Sequence, residues 1–282
     1  MTRTFEDWLL DNGYGEIRQR QPLGGGCIND VSRLHTSRGT IVLKQNPAAP
    51  RDMFLAEAEG LKALAATGAI KIPTVLHQQQ DYLLLEDLGQ SSKGSDYWAQ
   101  LGERLAALHS QEQPQFGFTM DNYCGATRQL NPVLDAGHDF FAEHRLMALG
   151  RRAFEAGLMD TTRLQQLESV AARLEHWIPE QAAVLIHGDL WSGNVHCDLG
   201  GQPALIDPAC YWGWAEAELA MTALFGGFAP GFYEAYAAAS GMDSDWQERA
   251  SLYNLYHLLN HLLLFGGSYL QSVASILKRY SD

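Results

Sequence analysis

The chain has 282 residues, with 20 lysines and arginines against 33 aspartates and glutamates, which gives a formal charge of −13. Such an acidic chain lacks the surplus of cationic side chains that displaces counterions from phosphates, and this excludes a general nucleic-acid binder. With 46% hydrophobic and 19% charged residues, a disordered chain is also excluded, and we expect one large globular domain or two modest lobes.

The first residues do not resemble an export signal. Glu6 and Asp7 stand where a secretory signal needs an unbroken apolar core, so we expect a cytoplasmic protein. The most apolar stretch, residues 252–270, is interrupted by asparagines and histidines that would be costly in lipid. We therefore predict a buried helix there and no contact with a membrane.

The four cysteines, Cys27, Cys124, Cys197 and Cys210, contain no Cys-x-x-Cys pair. Neither a disulfide framework nor a zinc site is indicated by this spacing, and reduced thiols are expected.

The first ninety residues predict a small antiparallel sheet with one helix. Residues 17–45 form short, partly alternating segments, punctuated by glycines at 24–26 and by a turn at 36–39. From Arg51, apolar residues recur at helical spacing until Gly68, and two strand candidates follow, Thr74–His77 and Tyr82–Glu86. Together these patterns predict five strands and one helix.

After Gly89 the pattern is mainly helical. Helices are expected near 95–110, 137–157 and 160–177, and again from about 215 to the end, with a long polar stretch at 111–132. Short strands are expected at 184–186, 195–197 and 204–206. The predicted fold class is α+β with two lobes, an N-terminal lobe at 1–89 and a larger, mainly helical C-terminal lobe at 90–282.

The most informative segment is an apolar strand that runs into the polar loop His187-Gly188-Asp189-Leu190-Trp191-Ser192-Gly193-Asn194. Asp189 and Asn194 lie five residues apart, which is the spacing of a kinase catalytic loop. In such a loop the aspartate accepts or orients the proton of an attacking hydroxyl, and the asparagine oxygen helps to hold Mg²⁺ beside nucleotide phosphates.

A second carboxylate for that metal follows thirteen residues after Asn194, where Asp207 ends an apolar run. Mg²⁺ favours oxygen ligands and recruits substrate phosphates, so one carboxylate and one amide can suffice from the protein. An aspartate after a strand is usually only a turn former or a helix cap, but the combination with Asp189 and Asn194 favours a Mg-nucleotide site.

Other parts of a nucleotide site are found upstream. Gly24, Gly25 and Gly26 would let backbone amides approach phosphates, although an ordinary hairpin turn explains them equally well. Lys44 would reach the phosphates, or else be a solvated lysine at a strand end. Glu57 on the next helix would orient that lysine, with Glu59 as the competing candidate.

His257 and His261 lie four residues apart on one predicted helix, with Asn260 between them. Zinc would require a third ligand, and no glutamate or histidine follows at a useful spacing. We therefore expect hydrogen-bonded histidines on a helix face rather than a metal site.

The chain resembles the fructosamine (ketosamine) 3-kinase family, within the protein-kinase-like and aminoglycoside phosphotransferase superfamily. The resemblance covers nearly the whole chain and is carried by the unchanged loop at 187–194. Further matching stretches lie at 24–28, 53–57, 121–125, 140–146, 206–209, 219–228 and 255–269. The resemblance implies an ATP- and Mg²⁺-dependent phosphotransferase. Its substrate would be the 3-hydroxyl of free or protein-bound ketosamines, and the reaction would be a step in deglycation.

The resemblance also implies the role of each residue. Asp189 is the catalytic base, Asn194 and Asp207 are the Mg²⁺ ligands, Lys44 and Glu57 orient phosphate, and residues 24–26 form the phosphate loop. The adenine hinge falls near residues 85–88, with Glu86 and Leu88 as the candidates. Trp191 either packs against the sugar or wedges the loop against the core, and the candidate residues bordering the sugar are His257, Asn260 and His261.

In two places the family pattern suggests further questions. Where we expect Gly-Asp-Arg-Glu-Ala-Asp, the chain has Gly213-Trp214-Ala215-Glu216-Ala217-Glu218. This departure predicts a different substrate range, whereas Glu216 and Glu218 remain to anchor the catalytic loop. Cys27 follows the glycine triplet and is either a redox-sensitive thiol on the phosphate loop or a small inward-facing residue.

Three other functions remain open. An aminoglycoside-like or other alcohol kinase would share Asp189, Asn194 and Asp207 but select a different hydroxyl. A metal-dependent phosphohydrolase would use the same residues with His187 and leave Lys44 idle, and a silent binding module would use none of them for chemistry. The expected partner is a small or protein-bound ketosamine, and the chain is expected to be a monomer or a dimer.

Overall fold

A short helix and a five-stranded antiparallel sheet begin the fold in this computed structural model, which describes residues 4–24 and 28–281. Helix α1 (Phe5–Asp11) starts with a capping box, in which the Thr4 side chain accepts from the amide of Asp7 and the Asp7 side chain accepts from the amide of Thr4. The sequence predicts one helix in this region and gives no signal for α1, because seven residues are too few for a clear helical period.

The sheet contains the five predicted strands. They are β1 (Ile17–Pro22), β2 (Asp30–Thr36), β3 (Gly39–Gln45), β4 (Val75–Gln78) and β5 (Tyr82–Glu86), in the spatial order β1-β2-β3-β5-β4. Helix α2 (Met53–Ala66) connects β3 to β4.

Alternation along β3 divides its side chains between two environments. Ile41 and Leu43 are buried in a cluster with Phe5 and Leu9 of α1. Val42 and Lys44 are on the opposite face, because successive side chains of a strand point to opposite sides of the sheet. This alternation directs Lys44 towards α2 and away from the α1 cluster.

The remainder of the chain is mainly helical around one large core. Its helices are α3 (Tyr97–His109), α4 (Gly137–Phe141), α5 (Ala148–Glu155), α6 (Thr161–Ala171), α7 (Ala215–Leu224), α8 (Pro230–Ser240), α9 (Trp246–Phe265) and α10 (Leu270–Ser281). Its short strands are β6 (Glu112–Gln113), β7 (Asn122–Cys124), β8 (Thr127–Gln129), β9 (Ala183–Ile186), β10 (Val195–Cys197), β11 (Pro203–Leu205) and β12 (Tyr211–Gly213). Three-residue 3₁₀ helices occur at Leu174–His176, Ser192–Asn194 and Gly267–Tyr269.

Three regions differ from the sequence-based expectations. The helix predicted near 160–177 ends at Ala171, and a separate 3₁₀ helix, Leu174–His176, follows it. The predicted helix at 137–157 is interrupted by a π-helical segment, Ala142–Met147, which contains the fully buried Arg145. The guanidinium of Arg145 lies 3.9 Å from the ring centre of Tyr211 and donates to the carbonyl of Leu130 at 2.7 Å. Such π-helical insertions keep the chain helical while widening one turn.

The polar stretch at 111–132 is also more ordered than a simple connection. Strands β7 and β8 form a hairpin in which Asn122 Nδ2 donates to the carbonyl of Cys210 at 2.7 Å. This bond fixes the hairpin beside the segment that connects Asp207 to β12. Cys124, at the end of β7, is part of that hairpin.

Within residues 4–24 and 28–281, the helices include none that is both long and apolar enough to cross a membrane.

Candidate active site

The loop at 187–194 connects two buried strands, β9 and β10. Strand β9 is the central strand of a three-stranded sheet, between β12 and β6, which fixes the point from which the loop departs. Gly188 has a φ of 81°, and a Cβ at this position would lie 2.2 Å from the carbonyl oxygen of Ala209. Only glycine therefore fits between His187 and Asp189.

Asn194 is bonded directly to Asp189. Its Nδ2 donates to the backbone oxygen of Asp189 at 2.8 Å and to Oδ2 at 3.2 Å. Because the amide nitrogen is directed to Asp189, the Oδ1 of Asn194 is the atom left to accept from a donor or to ligate a cation.

Glu218, on α7, accepts hydrogen bonds from the first two residues of this loop. Its Oε2 accepts from the backbone amide of His187 and its Oε1 from that of Gly188, both at 2.8 Å. Oε2 also lies 3.2 Å from Nε2 of His109, whose other ring nitrogen contacts the hydroxyl of Tyr236. Burial acts to raise the pKa of Glu218, but the hydrogen bond from His109 and the other nearby donors outweigh it and lower the pKa. The carboxylate is thus held ionised beneath the loop.

Asp207 lies two residues beyond strand β11 and is the one residue other than glycine with a positive φ, 57°, in the described ranges. Aspartate tolerates this left-handed conformation better than most residues. The backbone amide of Ile206 donates to the carbonyl of Asn194 at 3.1 Å, which joins the two residues' segments. Asp207 is therefore positioned by strands β10 and β11 close to Asn194.

Lys44 connects the sheet to this loop region. Its Nζ lies 2.5 Å from Oε1 of Glu57 and 2.9 Å from Oδ1 of Asp207. Burial acts to lower the pKa of Lys44, but the two carboxylates outweigh it and raise the pKa above its ordinary value. Lys44 is therefore a charged, buried group.

The alternative partner for Lys44, Glu59, is excluded by the structure because it pairs with the exposed Lys62 at 2.8 Å. Residues two apart on a helix point to nearly opposite sides, so only one of Glu57 and Glu59 can face the sheet.

Asp189 has the environment of a proton acceptor that operates near neutral pH. Burial raises its pKa to about 7, the nearby charge of Asp207 adds to the increase, and the hydrogen bond from Asn194 opposes it. A carboxylate tuned towards neutrality can take a proton from a hydroxyl and release it again.

Two cavities meet at these residues. The hinge-side cavity, of about 350 Å³, has apolar walls that include Val42, Leu85 and Ile206. The loop-side cavity, of about 200 Å³, is bordered by Asp189 and Trp191. Both cavities are lined by Val31, Lys44, Asn194 and Asp207. A molecule bound in one cavity is therefore adjacent to a molecule bound in the other. Lys44 and the side-chain oxygens of Asn194 and Asp207 lie beside both.

The predicted hinge residues lie in the hinge-side cavity, but their groups already have partners. The Glu86 carboxylate accepts from Lys71 Nζ at 2.8 Å and from the Thr74 hydroxyl at 2.7 Å. The carbonyl of Leu88 accepts from the amide of Leu199 at 2.9 Å. The carboxylate of Glu86 therefore stabilises the cavity wall.

Of the glycine triplet, Gly24 lines the hinge-side cavity. Gly25, Gly26 and Cys27 lie outside the described residues, so the phosphate-loop and redox assignments remain predictions from the sequence.

Trp191 lies at the loop-side cavity and is 37% exposed, so it does not wedge the loop against the core. A Cβ at Gly193 would lie 2.3 Å from the Trp191 ring, which shows that the glycine makes room for the indole. The ring meets Phe225 edge-on, with 6.5 Å between ring centres. An indole held in this way offers an apolar wall to a ligand beside Asp189.

The three polar residues of α9 are arranged differently from the expectation. Within the described chain, His257, Asn260 and His261 are not among the residues that line the loop-side cavity. His261 Nδ1 donates to the carbonyl of His257 at 2.7 Å, as expected of a hydrogen-bonded helix histidine. His257 contradicts that expectation, because its Nδ1 is buried with no hydrogen-bond partner among the described residues.

His257 is instead next to two residues that the sequence analysis did not connect with it. A nitrogen of His257, the Sγ of Cys124 and a carboxylate oxygen of Asp189 all lie within 4.8 Å of one another. Burial lowers the pKa of His257 to about 3, so its ring is neutral. The sequence did not indicate that Cys124 lies beside Asp189, because no spacing motif links positions 124, 189 and 257.

Trp214 and Ala215, where the chain departs from the family pattern, face the core. Both residues are buried, and the Trp214 ring packs against Phe116 and Tyr253. Glu216 accepts from Arg249 at 2.6 and 2.8 Å. The backbone amides at the start of the loop are bonded by Glu218, a carboxylate that the departure retains.

Comparison with known proteins gives a consistent result. The model of the fructosamine kinase family matches residues 3–282. A Synechocystis protein named a probable ketoamine kinase is 43% identical over 93% of this chain and 90% of its own. The chloroplastic protein-ribulosamine 3-kinase of Arabidopsis thaliana is 34% identical over 98% of this chain and 87% of its own.

Solved structures extend the likeness to the fold. A Thermobifida fusca protein provisionally named a fructosamine-3-kinase superposes with a TM-score of 0.89, at 28% identity, over 99% of this chain and 98% of its own. ADP-bound aminoglycoside phosphotransferase APH(2'')-Ib gives a TM-score of 0.64 at 12% identity, over 100% of this chain and 98% of its own. The second likeness shows a shared kinase-like, two-lobed α+β fold.

Proposed function

The chain belongs to the fructosamine kinase family, and we propose that it transfers the γ-phosphoryl group of ATP to the 3-hydroxyl of a ketosamine at the junction of the two cavities. The observation that carries this proposal is that Lys44, Asn194 and Asp207 line both cavities while Asp189 borders the loop-side cavity. A kinase requires this arrangement, since donor and acceptor must meet at a cationic point beside a base.

ATP fits the hinge-side cavity by its chemistry. Apolar side chains such as Val42, Leu85 and Ile206 suit a flat base, and Lys44 supplies a fixed positive charge for phosphate oxygens. Glu57 keeps Lys44 directed into the site through its 2.5 Å contact. When bound, ATP would supply the phosphoryl group, and Mg²⁺ would neutralise charge on the phosphate oxygens.

Mg²⁺ fits the donor set of Asn194 and Asp207. Carboxylate and amide oxygens are the protein ligands that Mg²⁺ prefers, with phosphates completing the shell. The Nδ2 of Asn194 donates to Asp189, and this directs its oxygen to the metal side. Lys44 and a cation would then share the charge of Asp207.

The acceptor fits the loop-side cavity. Asp189 accepts the proton of the attacking hydroxyl, and its pKa near 7 suits that task at neutral pH. The Trp191 indole offers an apolar surface to a sugar face, and its exposure leaves room for the amine that the ketosamine carries. The 3-hydroxyl specificity rests on the names of the relatives.

The test is ADP release with purified protein, Mg²⁺ and ATP, using fructosamine and ribulosamine adducts of lysine as acceptors. Free lysine, free sugar and an aminoglycoside are the controls. We expect ADP release with a ketosamine that is abolished in Asp189→Asn. ADP release with the aminoglycoside but not with a ketosamine would support an aminoglycoside-like kinase. Release of inorganic phosphate without an acceptor would support a phosphohydrolase.

A further inference from the structure

The Cys124–His257–Asp189 cluster combines three different metal-binding groups at the proposed catalytic base. A thiol, an imidazole nitrogen and a carboxylate oxygen lie within 4.8 Å of one another. They come from strand β7, helix α9 and the catalytic loop, three elements that the fold fixes independently. Their convergence is therefore a property of the packed core.

His257 provides the observation that points to a ligand. The residue is 5% exposed, and its Nδ1 has no hydrogen-bond partner within the described chain. A buried polar atom that lacks a partner is costly, and such exceptions are often sites for an ion. The neutral ring has a lone pair to offer to a metal.

The donor set selects the class of metal. Thiolate, imidazole and carboxylate are the ligands of Zn²⁺, whereas Mg²⁺ takes oxygen ligands in a near-ideal octahedron. In a tetrahedral zinc site the ligand atoms are about 3.3–3.6 Å apart, given metal–ligand lengths of about 2.0–2.3 Å. Atoms already within 4.8 Å need to approach by at most about 1.2–1.5 Å, which side-chain rotation can supply.

We propose that Cys124, His257 and Asp189 form a Zn²⁺ site, with water as the fourth ligand, and that zinc bound there inhibits phosphoryl transfer by occupying the catalytic base. The inhibition rests on the proposed function, whereas the zinc site itself does not. Binding converts the Cys124 thiol to a thiolate and releases its proton to solvent, so no oxidant or reductant is needed.

Inhibition through this site has a distinctive pattern. An Asp189 oxygen bound to zinc cannot accept the proton of the acceptor hydroxyl. Lys44, Asn194 and Asp207 are not members of the cluster, so ATP still binds. Zinc therefore lowers kcat for the ketosamine and does not compete with Mg-ATP.

Metal binding is tested without any assay of activity. The full chain carries Cys27→Ser, so that the thiol outside the described residues cannot contribute, and is titrated with Co²⁺ as a spectroscopic probe for zinc. We expect a thiolate-to-cobalt charge-transfer band that Zn²⁺ abolishes and that is absent in Cys124→Ser and Cys124→Ala. Cys197→Ser is the matched control, since Cys197 is a buried free thiol outside the cluster, and it should keep the band.

An absent band, or one that persists in both Cys124 variants, would overturn the site. Thermal unfolding of each metal-free variant shows that it is folded, and His257→Gln provides a second variant that retains the thiol. We expect His257→Gln to weaken Co²⁺ binding by about tenfold or more. Removing a ligand lowers metal affinity at least as much as removing the hydrogen-bond partner that orients a ligand. Unchanged Co²⁺ affinity in folded His257→Gln would also overturn the site.

The inhibition is then tested with saturating Mg-ATP and a varied ketosamine concentration. We expect Zn²⁺ to lower kcat in a way that neither excess Mg²⁺ nor excess ketosamine relieves, and this inhibition to weaken about tenfold or more in Cys124→Ser. Relief by Mg²⁺, or equal inhibition of Cys124→Ser, would overturn the inhibitory role. A cobalt band with no ketosamine phosphorylation would support the metal site while rejecting the proposed function.

Discussion

Glu218 gives the sharpest test of how the catalytic loop is positioned, because its two oxygens serve two different backbone amides. In Glu218→Gln, one of these oxygens becomes an NH₂ group. If it replaces Oε2, it faces the amide of His187, and if it replaces Oε1, it faces the amide of Gly188. In either orientation one buried N–H loses its acceptor and meets another donor.

The expected cost follows from those bonds. A hydrogen bond to a charged group contributes about 1.5–3 kcal/mol, and an unpaired buried donor adds its desolvation penalty, so we expect a loss of about 2–4 kcal/mol in the free energy of unfolding. Because Asp189 follows Gly188 directly, a shift of about 1 Å in the loop would lower kcat by about 10²-fold.

The assay measures urea unfolding and steady-state ADP release, with kcat referred to the folded fraction. Glu216→Gln is the matched control, because Glu216 is also on α7 but bonds Arg249 and Tyr253 rather than the loop. We expect that control to lose stability while keeping kcat. If Glu218→Gln kept both its stability and its kcat, or if Glu216→Gln lost kcat equally, the positioning role of Glu218 would be refuted.

Three further predictions concern the site itself. Asp207→Asn should weaken Mg-ATP binding, because a neutral amide replaces a carboxylate facing the cation; an unchanged Mg²⁺ dependence in titrations would remove Asp207 from the metal site. Trp191→Ala should raise the KM for the ketosamine with little change for ATP, since the indole lines the loop-side cavity; a matching rise in the KM for ATP would contradict this. Asp189 must be ionised to accept a proton, so kcat/KM should fall as pH drops below its pKa of about 7, or below a lower value once a cation offsets the charge of Asp207. A pH profile that stays flat down to the ordinary aspartate range would contradict that assignment.

The sequence predicted some strands with their observed bounds. Strands β5 and β10 have the predicted bounds, Tyr82–Glu86 and Val195–Cys197, because polar residues flank each short segment on both sides. The spacing of Asp189, Asn194 and Asp207 likewise predicted three side chains that the structure brings together, since Asp189 and Asp207 lie shortly after β9 and β11 and Asn194 immediately precedes β10.

Other features depend on packing that no local pattern encodes. The π-helical segment at Ala142–Met147 keeps a helical pattern, so periodicity could not separate it from an α-helix. Glu57 and Glu59 were equivalent by sequence, and only the position of Lys44 on the sheet distinguishes them. Cys124 and His257 come from distant parts of the chain, and therefore only the folded structure shows that they meet at Asp189.

The most direct test of the central claim is the position of the phosphate in the product. Wild-type protein is incubated with Mg-ATP and a ribulosamine adduct, and the product is identified by phosphorus and proton NMR, with Asp189→Asn as the control. We expect one phosphomonoester, coupled to the proton on C3 and formed in step with ADP, and no product from Asp189→Asn. Phosphate on another hydroxyl, or inorganic phosphate in place of the ester, would contradict the account.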